Sequence, residues 1–108
     1  MKTNEALSGK QKKTFRKIAH HLNPVVTITK LEFTDTVLQE TIRAMNDHEL
    51  IKVKIENSDK LERKAIGSKI TMLTESNLIQ TIGKCVILYR ANTKPNPKLS
   101  NVLRYSFL

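Results

Sequence analysis

From Leu50 to Ile55 the chain reads Leu-Ile-Lys-Val-Lys-Ile. Side chains alternate across an extended backbone, so Ile51, Val53 and Ile55 point one way while Lys52 and Lys54 point the other. The segment is therefore a strand with one face on a core and one face carrying cations. A lone strand is not stable in water, so the chain must supply further strands to pair with it and helices to cover them. At 108 residues it has room for about one domain.

The flanking sequence supplies those elements. Ser8 and Gln11 have capping-box spacing at the start of a first helix. Phe15, Ile18, Ala19 and Leu22 follow at i, i+3, i+4 and i+7 as its apolar stripe, and Pro24 stops it by Asn23. Val25 to Thr29 is a short β-branched strand. Thr29-Lys30-Leu31-Glu32 is a loop without glycine. Thr34 caps a second helix, Asp35 complements its dipole, and Phe33 and Leu38 have hydrophobic-staple spacing. Val37, Leu38, Ile42 and Met45 face inward, and this helix ends between Asn46 and His48.

After the alternating strand, Asn57-Ser58-Asp59 is a turn, and Asp59 with Glu62 caps a third helix reaching Thr74. Leu61, Ala65, Ile66, Ile70 and Leu73 are its expected inner residues. Gly67 costs about 1 kcal/mol against alanine in a helix interior, which points to a close helix–sheet contact there. Leu78–Ile82 and Cys85–Arg90 are two strands about a Gly83-Lys84 turn. The expected architecture is one compact α/β domain of order α-β-α-β-α-β-β, with a four-stranded mixed sheet packed by helices. Residues 1–7 are expected to be a flexible arm, 8–91 the domain, and 92–108 a mobile basic tail, because two prolines in a polar context favour an extended chain.

The charge is uneven. The chain carries 19 Lys and Arg against 10 Asp and Glu, net +9. Residues 1–17 hold six cations and one acid, Glu5; residues 69–108 hold six cations and one acid, Glu75. The middle is close to neutral. A basic surface of this kind favours an anionic partner, most often nucleic acid. No apolar run reaches the roughly 18 residues of a membrane span. The N-terminal stretch lacks the apolar core of a secretory signal, so a cytoplasmic protein without a membrane partner is expected.

Catalytic or metal chemistry finds little support. His20, His21 and His48 are the only histidines and Cys85 the only cysteine, too few ligands at unsuitable spacing for a metal site. Cys85 lies in a strand and reads as a small hydrophobe. Ile82-Gly83-Lys84 lacks the rest of a P-loop pattern. No enzyme, no cofactor and no metal are expected. The cations are a better candidate site. Lys10, Lys12, Lys13, Arg16 and Lys17 fall on the first helix, uninterrupted by any acid. Lys52 and Lys54 share a strand face, and Lys84 and Arg90 bracket the last strand. A phosphate backbone is held by several cations in a fixed row.

Several blocks resemble the CRM-domain family, in its stand-alone bacterial YhbY-like form. They are LSGKQKKTFRKIAHHLNPVV, TDTVLQETIRAMNDHELIKVKI and IGKCVILYR, and they cover about Leu7 to Arg90 in the family's order. The resemblance implies a fold like the C-terminal domain of translation initiation factor three. It also implies RNA binding, in bacteria on precursors of the large ribosomal subunit. The family's RNA contacts are attributed to the basic first helix, the sheet and a G-x-x-G loop after the first strand. Here that loop is Thr29-Lys30-Leu31-Glu32. Both glycines are replaced, and Glu32 adds a charge that phosphate repels, with Lys30 as a partial compensation.

The expected RNA-facing set is Lys10, Lys12, Lys13, Arg16, Lys17, Lys30, Lys52, Lys54, Lys84 and Arg90. The expected partner is ribosomal RNA or a pre-ribosomal particle, bound by a monomer. The rival expectation is a protein-interaction module docking on a ribosomal protein or assembly factor, motivated by the lost glycines and the apolar segment Val102–Leu108.

Overall fold

The structure is a computed structural model, and its described residues are 7–29, 34–57 and 59–108. The order is α1 (Gly9–Ala19), β1 (Val26–Thr29), α2 (Asp35–His48), β2 (Leu50–Glu56), α3 (Lys60–Thr74), β3 (Asn77–Ile82), β4 (Cys85–Tyr89) and α4 (Asn101–Arg104). The expected α-β-α-β-α-β-β succession is present, with a short fourth helix added. The strands form one mixed sheet in the order β1-β2-β4-β3. β1 lies parallel to β2, because α2 carries the chain back between them. β4 runs antiparallel to both β2 and β3.

The helix starts form as the side chains dictate. The Ser8 hydroxyl accepts from the Gln11 amide at 3.1 Å, and the Gln11 side chain accepts from the Ser8 amide at 2.9 Å. Thr34 accepts from the Val37 amide, and Asp59 from the amides of Leu61 and Glu62. The Glu62 carboxylate accepts from Asn57 instead of closing a second capping box. Phe33, Ser58 and the loop residues 30–32 lie outside the described residues, so the expected staple between Phe33 and Leu38 does too. Residues 1–6 of the expected N-terminal arm also lie outside them.

Both faces of the sheet are covered. On one face Val26, Ile28, Ile51, Val53, Ile55, Val86 and Leu88 pack against Met45 of α2 and Ile66 and Ile70 of α3. Gly67 is buried there, and a Cβ at that position would stand 3.2 Å from Val86 Cγ1. The close contact expected from a helical glycine is thus present. On the other face Leu50, Ile79 and Ile87 pack against Phe15, Ile18 and Ala19 of α1, joined by Leu22, Tyr89, Val102 and Tyr105. The Phe15 and Tyr89 rings meet with centroids 4.4 Å apart.

The inner face of α3 differs from the expected one. Leu61, Ala65 and Leu73 are exposed, whereas Ile66, Gly67, Ile70 and Thr74 are buried. Thr74 enters the core because its hydroxyl is satisfied locally. It donates to the Ile70 carbonyl at 2.7 Å and lies 2.9 Å from the Ser76 hydroxyl. A threonine so paired is a methyl group to its surroundings. Rotating α3 onto Thr74 turns the leucines outward.

The segment 92–108, expected to be a mobile tail, is packed onto the domain. Besides Val102 and Tyr105 on the α1 side, it has polar anchors. The Asn92 amide donates to Glu49 Oε2 at 2.8 Å and the Ser100 hydroxyl to Glu49 Oε1 at 2.6 Å. Asn101 Nδ2 donates to the Leu50 carbonyl at 2.7 Å, and His48 Nδ1 to the Leu99 carbonyl at 2.8 Å. Ser100 and Asn101 are buried, as is Glu49. Glu49 has φ +61°, a strained value for a residue with a Cβ. It is the only residue between the end of α2 and the start of β2, and this sharp reversal aims its carboxylate at the C-terminal segment. Ser100 caps α4 through the Leu103 amide, a signal carried by Ser100-Asn101-Val102-Leu103 that the polar, proline-containing stretch before it masks.

Candidate nucleic-acid interface

The basic helix is built against its own electrostatics. Lys10 and Lys12 stand near the N-terminal end of α1, where the partial charge of the helix is already positive, and its first turn holds no acid. Lys12 with Arg16 and Lys13 with Lys17 are like-charge pairs at i, i+4, each mildly destabilising. The Ser8–Gln11 capping box and the burial of Phe15 and Ile18 hold the helix against these costs, at about 1.5–3 kcal/mol per large apolar side chain buried. Lys10, Lys12, Lys13 and Lys17 are exposed and Arg16 is half-buried. At about 100° per residue, Lys10, Lys13 and Lys17 lie directly opposite the buried stripe. Lys12 and Arg16 lie on one flank of it.

The sheet supplies the second group. Leu50 packs under α1, and side chains along a strand alternate, so Lys52 and Lys54 share Leu50's side of the sheet. That is the α1 side. Both lysines are half-buried, as are many strand lysines whose stems lie along apolar surface. Strand pairing extends this surface: Thr27 stands beside Lys54 on β1, and Cys85 beside Lys54 on β4. Cys85 is half-buried, not part of the sealed core. Lys84, in the β3–β4 turn, is exposed, and its carbonyl accepts from the Ile55 amide at 2.6 Å. Lys52, Lys54 and Lys84 therefore run toward one end of the sheet. Lys54 is also 3.4 Å from Glu56 Oε1, with the two side chains 42% and 46% exposed. Such a pair is weak and can exchange for a phosphate.

Two expected members stand apart. Arg90 is buried, and its guanidinium donates to the Thr74 carbonyl at 2.8 Å and to Asn46 Oδ1 at 2.7 Å. Burial lowers its pKa, and the charge of Glu75 opposes that shift. Arg90 thus ties α2, α3 and β4 together and faces no solvent partner. From sequence it read as a surface cation because arginines are seldom buried unless paired, and its partners lie on distant elements. Lys30 lies outside the described residues.

The remaining chemistry is sparse. Among the described residues no three His, Cys, Asp or Glu side chains are grouped to hold a metal ion. No described helix is long and apolar enough to cross a membrane. A shallow groove of about 640 Å³ runs along α2, lined by Asp35, Gln39, Glu40, Arg43 and Asp47 among others. Its carboxylates would repel phosphate.

Known proteins are similar to this chain in sequence and in fold. A Pseudomonas aeruginosa protein named as a probable RNA-binding protein is 45% identical over 101 residues, covering 94% of this chain and 97% of its own. A Haemophilus influenzae RNA-binding protein is 41% identical over 93 residues, covering 86% of this chain and 94% of its own. The solution structure of a Staphylococcus aureus protein, a candidate RNA-binding protein, superposes with a TM-score of 0.74 at 27% identity, covering 88% of this chain and 98% of that one. Residues 7–90 match the model of the CRS1 / YhbY (CRM) domain, and the chain belongs to that family.

Proposed function

We propose that this protein binds RNA without catalysis, through the exposed cations of α1 and the lysines Lys52, Lys54 and Lys84 of the sheet. The observation that carries this reading is the acid-free basic surface of α1 lying on the same side of the sheet as Lys52 and Lys54. A helix that keeps five cations at the expense of its own stability fits a surface whose charge is neutralised by a ligand. The RNA-binding relatives support the same ligand class.

The finer reading is that the RNA is ribosomal, met on large-subunit precursor particles during ribosome assembly in the cytoplasm, by a monomer. Its support is the resemblance of the first helix and of the His48–Lys54 block to the YhbY-like proteins. Crosslinking in cells followed by sequencing of the bound RNA tests it. Reads concentrated on precursors of large-subunit RNA are expected. Reads spread over unrelated transcripts would overturn the ribosomal part and leave RNA binding standing, and an absence of crosslinked RNA would overturn both.

A further inference from the structure

The chain has no tryptophan, three phenylalanines and two tyrosines. Phe15 and Tyr89 meet each other under α1. Tyr105 and Phe107 are placed differently. They follow α4 and come up beside the C-terminal end of α1. The His21 ring stacks on Tyr105, with centroids 6.0 Å apart and planes 23° apart. Phe107 continues the series, its centroid 6.1 Å from that of Tyr105. The Arg104 guanidinium lies over the Tyr105 ring at 5.6 Å from the centroid.

The two ends of this row are open to solvent. Phe107 is 77% exposed, although it is among the largest apolar side chains of the chain. His21 is exposed and Tyr105 half-buried. Single exposed apolar residues are ordinary, but three successive rings with a guanidinium on the middle one are a distinct surface. Its setting is cationic. Lys17 lies in the last turn of α1, four residues before His21, and Arg104 belongs to the row itself. Flat rings flanked by positive charge complement a polymer of flat bases and negative phosphates, and aromatic platforms of this sort take unpaired nucleotides.

We propose that His21, Tyr105 and Phe107 form a stacking ledge for an unpaired RNA base, with Lys17 and Arg104 on the adjoining phosphates. The proposal rests on the RNA-binding reading and adds a site on the segment 92–108, which lies beyond the matched domain. It also explains why that segment is anchored: Glu49 and Asn101 hold it where the rings continue the basic helix.

The experiment uses two probes of equal length and charge, a 12-nucleotide oligoadenylate and the corresponding abasic oligomer. Phosphate contacts are common to both, so contacts to the bases separate them, and the Phe107 variants isolate stacking among these. The full chain should bind the oligoadenylate about tenfold or more tighter than the abasic probe, since each stacked base contributes a factor of that order. Phe107→Ala, at an exposed position that leaves the core intact, should remove most of that difference without changing the abasic affinity. Phe107→Trp should retain it, and, as the only tryptophan in the chain, should lose fluorescence on binding oligoadenylate but not the abasic oligomer.

Equal binding of the two probes by the wild-type chain would overturn the ledge while leaving RNA binding intact. So would a Phe107→Ala variant that keeps the full difference. If Phe107→Ala instead abolished a concentration-dependent self-association, the exposed rings would belong to a contact between copies and the proposal would fall. Failure of the chain to bind either probe or a structured RNA would overturn the ledge and the RNA-binding reading together.

Discussion

The Glu49 carboxylate accepts a 2.6 Å hydrogen bond from the Ser100 hydroxyl across 51 residues of sequence, inside the protein. With the Asn92 amide on its second oxygen, this carboxylate is a buried tie between the α2–β2 junction and the C-terminal segment. Ser100→Ala is expected to destabilise the protein by about 1–3 kcal/mol, because a buried carboxylate oxygen loses its donor. Glu49→Ala should cost at least as much and make the 92–108 segment sensitive to limited proteolysis before the rest of the chain. Unchanged urea midpoints together with an unchanged cleavage pattern would show that the segment is held by something else.

The basic helix leads to opposite effects on stability and binding. Lys10→Glu with Lys12→Glu reverses charges beside the positive end of α1 and relieves like-charge repulsion. The double variant should melt at the same temperature as the wild type or slightly higher, yet bind structured RNA more weakly. The slope of log affinity against log salt should shrink by about one for each phosphate that the variant no longer neutralises. Thermal melts and salt titrations read the two effects separately. A variant that binds as tightly as the wild type would remove α1 from the interface.

Arg90 separates structure from binding in the other direction. Arg90→Ala leaves the Thr74 carbonyl and Asn46 Oδ1 without their donor and should cost about 2–3 kcal/mol of stability. Its affinity for RNA, measured where the variant is still folded, should match the wild type. A selective loss of RNA affinity with normal stability would return Arg90 to the interface.

Tyr89 gives an alkaline limb to the stability. Burial raises its pKa above the usual 10.0, and the negative charge of Glu49 adds to that. The unfolded chain then gives up the phenolic proton first, so this contribution is complete below about pH 10 and is lost as pH rises through the folded value. Denaturant midpoints between about pH 9 and pH 11 should fall more steeply for the wild type than for Tyr89→Phe. Parallel curves would mean that the Tyr89 hydroxyl is solvated equally in both states.

Much of this was legible along the chain, wherever a local rule carries the information. Ser8 with Gln11, Thr34, and Asp59 start helices because their partners lie two or three residues away. Leu50–Ile55 declares a strand through its period of two, and Gly67 marks a close approach that Val86 completes. The α1 cations were readable as an exposed face because Phe15, Ile18 and Ala19 fix the opposite side of the helix.

The tertiary structure decided what depends on distant partners. Alternation says that Lys52 and Lys54 share a side, but only the packing of α1 on Leu50 makes it the side of the basic helix. Thr74 displaced Leu73 from the core because the carbonyl of Ile70 satisfies its hydroxyl. Arg90 became an internal tie because Thr74 and Asn46 reach it from two other elements. Besides Val102 and Tyr105, the segment 92–108 is anchored by Asn92, Ser100 and Asn101, small polar residues with no apolar periodicity to announce them. Their order comes from Glu49 and Leu50, some 50 residues earlier in the chain, and a hydrogen bond between groups so far apart exists only once the sheet has brought them together.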